Sequence, residues 1–162
     1  MNRDCPVFNV QIEYLADHPE FIPELAELHF AEWSHLNPGE NIQGKIDYLR
    51  DNCGRNGVPS FFIAAEGTGL VGSASLIAQD MDNRPDLTPW LADVFVKPEY
   101  RGRGVATALI QRVEAEARSA GINELYLYTP DAAGLYRRLG WNTVEKCRYK
   151  EVDVVIMARM IG

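Results

Sequence analysis

Between Trp90 and Thr129 the sequence passes from an apolar run, WLADVFV, through a glycine-containing turn into a helical repeat, then into a second apolar run, LYLYT. This succession constrains the fold more than any other feature of the chain. A strand, one helix and a second strand in one sheet make a parallel crossover, and such crossovers are right-handed. Val105, Leu109, Val113 and Ala117 repeat every four residues, with Thr107, Gln111, Arg112, Glu114, Glu116 and Arg118 as the polar face. That period predicts an amphipathic helix from Gly104, ended by Gly121 at its C-cap.

The flanking segments predict hairpins. Ser60–Glu66 and Leu70–Ala78 are apolar runs joined by Gly67-Thr68-Gly69, a tight-turn signal. Asn142–Arg148 and Glu151–Arg159 read as a closing hairpin. Phe8–Leu15 alternates, with Phe8, Val10, Ile12 and Tyr14 on one side, as a half-buried strand does. Phe21, Leu25 and Leu28 predict a helix over about Pro19–His35, broken by Asn37-Pro38-Gly39. Ile42, Ile46, Leu49 and Cys53 give a second, shorter helix, Asp80–Pro89 a polar loop, and Asp131–Leu139 a last short helix closed by Gly140. The expected order is β-α-α-β-β-β-α-β-α-β-β. It describes an α+β / α/β fold, a mixed and mostly antiparallel seven-stranded sheet with a central parallel βαβ unit flanked by helices. No linker divides the chain, so residues 1–162 are expected to form a single domain.

Chemistry concentrates in the turn, Val96 to Ala106, V-K-P-E-Y-R-G-R-G-V-A. Gly102 and Gly104 let the backbone bend and expose its amides. The first turn of the following helix leaves N–H groups unpaired and carries a partial positive charge. Together with Arg101 and Arg103 these make an anion site suited to a pyrophosphate. The loop has neither the Gly-Lys-Ser/Thr of a nucleoside triphosphate loop nor a GxGxxG. Glycines that only shape a turn, with solvated arginines, are the competing reading.

Composition narrows the classes. The 162 residues carry 16 basic and 23 acidic side chains, a net charge of −7. A nucleic-acid binder would usually show a basic surface instead. Acidity suits a cationic acceptor, or simply solubility. Cys5, Cys53 and Cys147 form no CxxC pair, and reduced thiols are expected. His18 and His29 are too far apart to present a metal pair on one helical face, so no metal site is expected. Met1–Asn9 has no apolar run of the signal-peptide kind, and no stretch approaches the ~20 apolar residues of a membrane span. A cytoplasmic protein with neither nucleic-acid nor membrane partners is the expectation.

At this point the chain resembles a known family. Arg101-x-x-Gly104-x-Ala106 is similar to the Gln/Arg-x-x-Gly-x-Gly/Ala signature of the GNAT acyltransferases, with Val96, Pro98 and Arg101 as its usual V-x-P-x-x-R lead. Leu135-Tyr136-Arg137-Arg138-Leu139-Gly140-Trp141 resembles the family's LYxxLGF/W element. The resemblance is specific from Leu91 to Trp141 and weak before Ser60. It implies the GNAT fold and acetyl transfer from acetyl-CoA to a primary amine, a small molecule or a peptide, by direct attack in a ternary complex. A noncatalytic acyl-CoA-binding module using the same loop is the alternative, and a structural domain with a fortuitous RGRG is a third reading.

The same resemblance implies site residues. The strand Trp90–Val96 would splay from Leu125–Thr129, with Val94, Phe95 and Val96 facing the pantetheine arm and acetyl group. The amides of Arg101, Gly102, Arg103, Gly104, Val105, Ala106 and Thr107 would cradle the pyrophosphate, and a backbone N–H of Val94–Val96 would meet the oxyanion. Tyr136 stands where many members place a tyrosine near the cofactor sulfur, and its phenol would protonate the thiolate. Many members have an Asn soon after the second strand. This chain has Tyr128-Thr129-Pro130-Asp131, where Asp131 is expected to cap the helix. Asp93, the one charge in WLADVFV, is the candidate base, with Ala92 and Val94 facing opposite to it. Glu66, Glu32, Glu40 and His35 are weaker candidates. Trp33, His35, Glu40 and Tyr149 are expected to line the acceptor pocket. A homodimer through the C-terminal strands is a further expectation.

Overall fold

A computed structural model describes residues 9–162. Phe8 and Cys5 lie outside the described residues. The elements run β1 (Val10–Tyr14), α1 (Ile22–Trp33), α2 (Ile42–Asp51), β2 (Ser60–Glu66), β3 (Gly69–Ile77), β4 (Trp90–Val96), α3 (Val105–Ser119), β5 (Glu124–Thr129), α4 (Ala133–Arg138), β6 (Asn142–Tyr149) and β7 (Val152–Met160). This is the order expected from the sequence. The predicted first helix is split: Pro19–Phe21 and Ser34–Leu36 are 3-10 turns on either side of α1.

The sheet has seven strands in the order β1-β2-β3-β4-β5-β7-β6. Every neighbouring pair is antiparallel except β4 and β5. The α3 face packs Leu109, Ile110, Val113 and Ala117 against Phe62, Leu76, Leu91, Leu127 and Met157. On the other face α1 and α2 cover Phe61 and Ile63. Beyond them on that face, the loop after β3 brings Met81 and Leu87 onto Trp90, Ala92 and Ile156. Apolar residues alternate between the faces along the central strands, which is why those strands are buried on both sides.

Two details of this packing bear on the site. Gly121 takes φ 79 at the end of α3, and the Ile122 amide reaches back to the Ala117 carbonyl, a glycine C-cap that turns the chain into β5. At Gly72 a Cβ would stand 2.4 Å from the Phe95 carbonyl oxygen, so β3 and β4 cross there at a distance that only glycine permits. No helix among the described residues is long and apolar enough to cross a membrane.

Candidate active site

β4 and β5 touch at one register pair, Trp90 and Tyr126, where the Tyr126 amide donates to the Pro89 carbonyl at 3.1 Å. Beyond that pair the strands part. The edge of β4 facing β5 therefore carries backbone amides and carbonyls with no strand partner. A cleft of about 430 Å³ opens along the gap. Leu91, Asp93 and Val94 line one wall, Leu127, Thr129 and Tyr136 the other, and Trp33, Tyr48 and Tyr149 approach from the α1–α2 side and the closing hairpin.

At the end of β4 the chain makes a 3-10 turn, Pro98–Tyr100, and enters α3 through Gly102 at φ 76 and Gly104 at φ 84. Nothing lies within 4 Å of a Cβ built on either glycine, so the space above the loop is open. The first intrahelical donor is the Ala108 amide, to the Gly104 carbonyl at 3.0 Å. The amides of Val105, Ala106 and Thr107 precede it, in the orphan positions of a helix start. Arg101 departs from its expected place in the cradle. Its amide donates to the Pro98 carbonyl at 3.2 Å, its Nε donates to the Val96 carbonyl at 2.9 Å, and its guanidinium lies over the Phe95 ring. Arg101 is a strut that holds the loop against β4.

Of the three strand residues expected to face the cofactor arm, Val94 lines the cleft. The Phe95 side chain is turned away, buried against His29 and Trp33 with ring centroids 6.0 and 6.2 Å distant. Val96 is buried in the α3-side core. Only their backbone remains available to a ligand in the gap.

The alternation expected around Asp93 fails. Ser73 pairs with Phe95 and Ser75 with Ala92, so Ala74 faces both Asp93 and Val94 across a β-bulge. Asp93 takes φ 56, a left-handed conformation costly for a residue with a Cβ. Ala92 packs with Trp90 on the α1–α2 face while Val94 packs on the α3 face. The extra residue lets Asp93 share the face of Ala92. Its Oδ2 accepts hydrogen bonds from Tyr48 Oη at 2.6 Å and Ser75 Oγ at 2.8 Å. Its carbonyl accepts from Ser73 Oγ at 2.8 Å. The Ser73 proton is thereby used, so the buried His29 donates its Nε2–H to Ser73 Oγ at 2.9 Å. Burial, opposed by the Asp93 charge, pushes the His29 imidazole down to about 4 and keeps it neutral.

On the opposite wall the Tyr136 ring is 7% exposed and packs edge-on against Trp141. Trp141 Nε1 donates to the buried Glu114 carboxylate, which Arg159 neutralises at 2.9 Å. That network fastens α4 to α3 and β7. The Tyr136 hydroxyl has no hydrogen-bond partner among the described residues. Burial first, then the Asp131 charge, pushes its phenol up to about 12, so it keeps its proton at neutral pH. Asp131 itself is no cap. The Thr129 hydroxyl accepts the Ala132 amide at 3.0 Å, and the N-cap residue Ala132 makes no side-chain capping bond.

Trp33, His35, Glu32, Glu40 and Tyr149 all line the cleft. Glu40 pairs with Lys45 at 3.3 Å. Glu66 lies elsewhere, accepting a bond from Tyr100 Oη at 3.1 Å. Sequence reasoning missed Tyr48, Ser73, Ser75 and Asp80. The two serines alternate in the apolar strand LVGSASLI, a signal for a polar contact on one face. Asp80 sits in a segment that reads as plain loop. Desolvation first, then the Asp93 charge, pushes its carboxyl up to about 8.

The model of the acetyltransferase (GNAT) family matches residues 18–141. The chain is similar to N-alpha-acetyltransferase 30 of Schizosaccharomyces pombe, 32% identical over 58% of this chain and 62% of the relative. It is also similar to glucosamine 6-phosphate N-acetyltransferase of Trypanosoma brucei brucei, 30% identical over 73% of this chain and 83% of the relative. The match to the Schizosaccharomyces pombe protein thus spans less than two thirds of that relative. A solved aminoglycoside 6'-N-acetyltransferase complexed with coenzyme A superposes with TM-score 0.75 over 94% of this chain and 97% of that chain at 17% identity, a likeness of fold.

Proposed function

The chain belongs to the acetyltransferase (GNAT) family, and from that premise we propose that it is an N-acetyltransferase moving an acetyl group from acetyl-CoA to a primary amine in the cytoplasm. The observation that carries this reading is the splayed β4–β5 gap, with the Asp93 carboxylate on one wall and the unpartnered Tyr136 hydroxyl on the other. The residues present fit acetyl-CoA. The unpaired β4 edge suits the amides of the pantetheine arm, and the open loop at Gly102 and Gly104 with the first amides of α3 suits the pyrophosphate. Bound there, the thioester supplies an activated acyl group.

Each residue then has a task. Asp93 takes the proton that the acceptor amine must lose to attack. A β4 backbone amide beside Val94 donates to the carbonyl oxygen as its charge develops. Tyr136 gives its proton to the departing thiolate. A phenol held at about 12 is protonated at every working pH, and a thiolate released into the desolvated gap would be a stronger base than it is in water.

An acetylation screen across amine classes, with thiol release as readout, tests the reading. Transfer to at least one amine, dependent on Tyr136, is expected. Tight acetyl-CoA binding without transfer to any class would make the protein an acyl-CoA-binding module instead.

A further inference from the structure

Asp93 is held more elaborately than a carboxylate at a strand edge requires. Two hydroxyls from different elements, Tyr48 of α2 and Ser75 of β3, converge on the same oxygen, Oδ2. Oδ1 takes no hydrogen bond from any described residue and is not among the buried polar atoms, so it is the oxygen open to the cleft. The backbone beneath is fixed as well, by the bulge at φ 56 and by the His29–Ser73 bond chain ending on the Asp93 carbonyl. A strained conformation of this kind persists where its surroundings over-determine it. The other titratable groups coupled to the charge of this carboxylate are His29 of α1, Asp80 after β3 and Tyr128 of β5, and Lys45 of α2 lines the same cleft.

We propose that Tyr48 and Ser75 are positioning residues for acetyl transfer, clamping Asp93 Oδ2 so that Oδ1 alone is presented to the acceptor amine. This rests on the reading of Asp93 as the base. The two hydroxyls act through Asp93 and touch neither amine nor acetyl group.

A double-mutant cycle tests this. kcat is measured with one good amine at saturating acetyl-CoA for Tyr48→Phe, Ser75→Ala and Ser75→Thr, and for the first two again in an Asp93→Asn background. Each single loss of a hydroxyl is expected to lower kcat about tenfold, the scale of one bond to a charged group. Acetyl-CoA affinity should stay within twofold, and Ser75→Thr, which keeps the hydroxyl, should retain most of the rate. In the Asp93→Asn background both effects should shrink to near unity. Undiminished losses in that background would overturn the proposal, as would wild-type kcat in Tyr48→Phe. If Ser75→Ala fails to fold, Tyr48→Phe carries the cycle alone, because Tyr48 is only half-buried. Wild-type kcat in Asp93→Asn itself would instead overturn the reading of Asp93 as the base, and the positioning role with it.

Discussion

The loop that opens α3 offers mainly backbone, and the cleft between β4 and β5 offers side chains. At the loop between β4 and α3, two left-handed glycines stand beneath open space, the first amides of a helix follow, and the Arg101 side chain braces the turn. In the cleft, Asp93, Tyr136, Tyr48 and Asp80, with Ser75 behind Asp93, come from separate elements, and none is adjacent to another in sequence. A backbone site holds a ligand common to many proteins, because its donors do not depend on side-chain identity. A side-chain site can be altered one residue at a time, which suits it to the catalytic roles proposed for Asp93 and Tyr136.

The difference can be broken from either end, and the two ends should fail in different ways. Gly104→Asp is expected to have the largest effect. It places a negative charge where the helix start favours an anion, and acetyl-CoA affinity measured by calorimetry should fall by about 100-fold or more. Asp tolerates the left-handed conformation better than most residues, so the fold should survive. Unchanged affinity in a folded variant would remove the pyrophosphate from this loop.

At the side-chain end, cofactor affinity should survive while turnover falls. Tyr136→Phe is expected to lower kcat by about 100-fold with acetyl-CoA affinity within a few-fold of wild type. Turnover unaffected by the change would reduce Tyr136 to packing against Trp141. Asp93→Asn should cost about 100-fold near pH 7, more than the loss of either hydroxyl that holds it, and part of the rate should return as the pH rises, because the amine then arrives already neutral. Parallel pH–rate profiles for wild type and variant would show that Asp93 is no base.

The smallest effect is on stability. The Asp80 carboxyl is pushed up to about 8, so between its unfolded value near ~4 and pH 8 the folded state holds a proton that the unfolded state has lost. Stability from this group is present at low pH and declines as pH rises through that window. Asp80→Asn should flatten the decline and raise the melting temperature at pH 8 by a few degrees, while leaving it nearly unchanged at pH 4. Parallel melting curves across the range would show that Asp80 is solvated.

Strand and helix limits around the parallel unit could be read closely from the chain, and for a local reason. WLADVFV is an unbroken apolar run, the helix repeats every four residues, and Gly121 closes it with a cap made within a few residues. Periodicity and caps are short-range properties, and short-range properties are written consecutively. Around Asp93 the same reasoning failed, because strict alternation assumes one residue per register step. The bulge opposite Ala74 adds a residue, and no composition signal in WLADVFV marks where. Asp131 misled for a similar reason. Asp, Ser and Thr all cap helices, and only the path of the turn decided that Thr129 would receive the Ala132 amide.

The sequence by itself determined the order of the elements, the parallel crossover and the glycine turn that opens α3, since each depends on neighbours within about one helix length. Tertiary structure alone decided which hydroxyls meet Asp93 and what stands beside it. Tyr48 and Ser75 are 45 and 18 residues away along the chain, and Asp80 arrives on a loop without regular structure. Contacts of that range follow from how α2 crosses the sheet and where β4 bulges. Packing sets both, because they are the arrangement in which the apolar faces of helix and sheet close over one another.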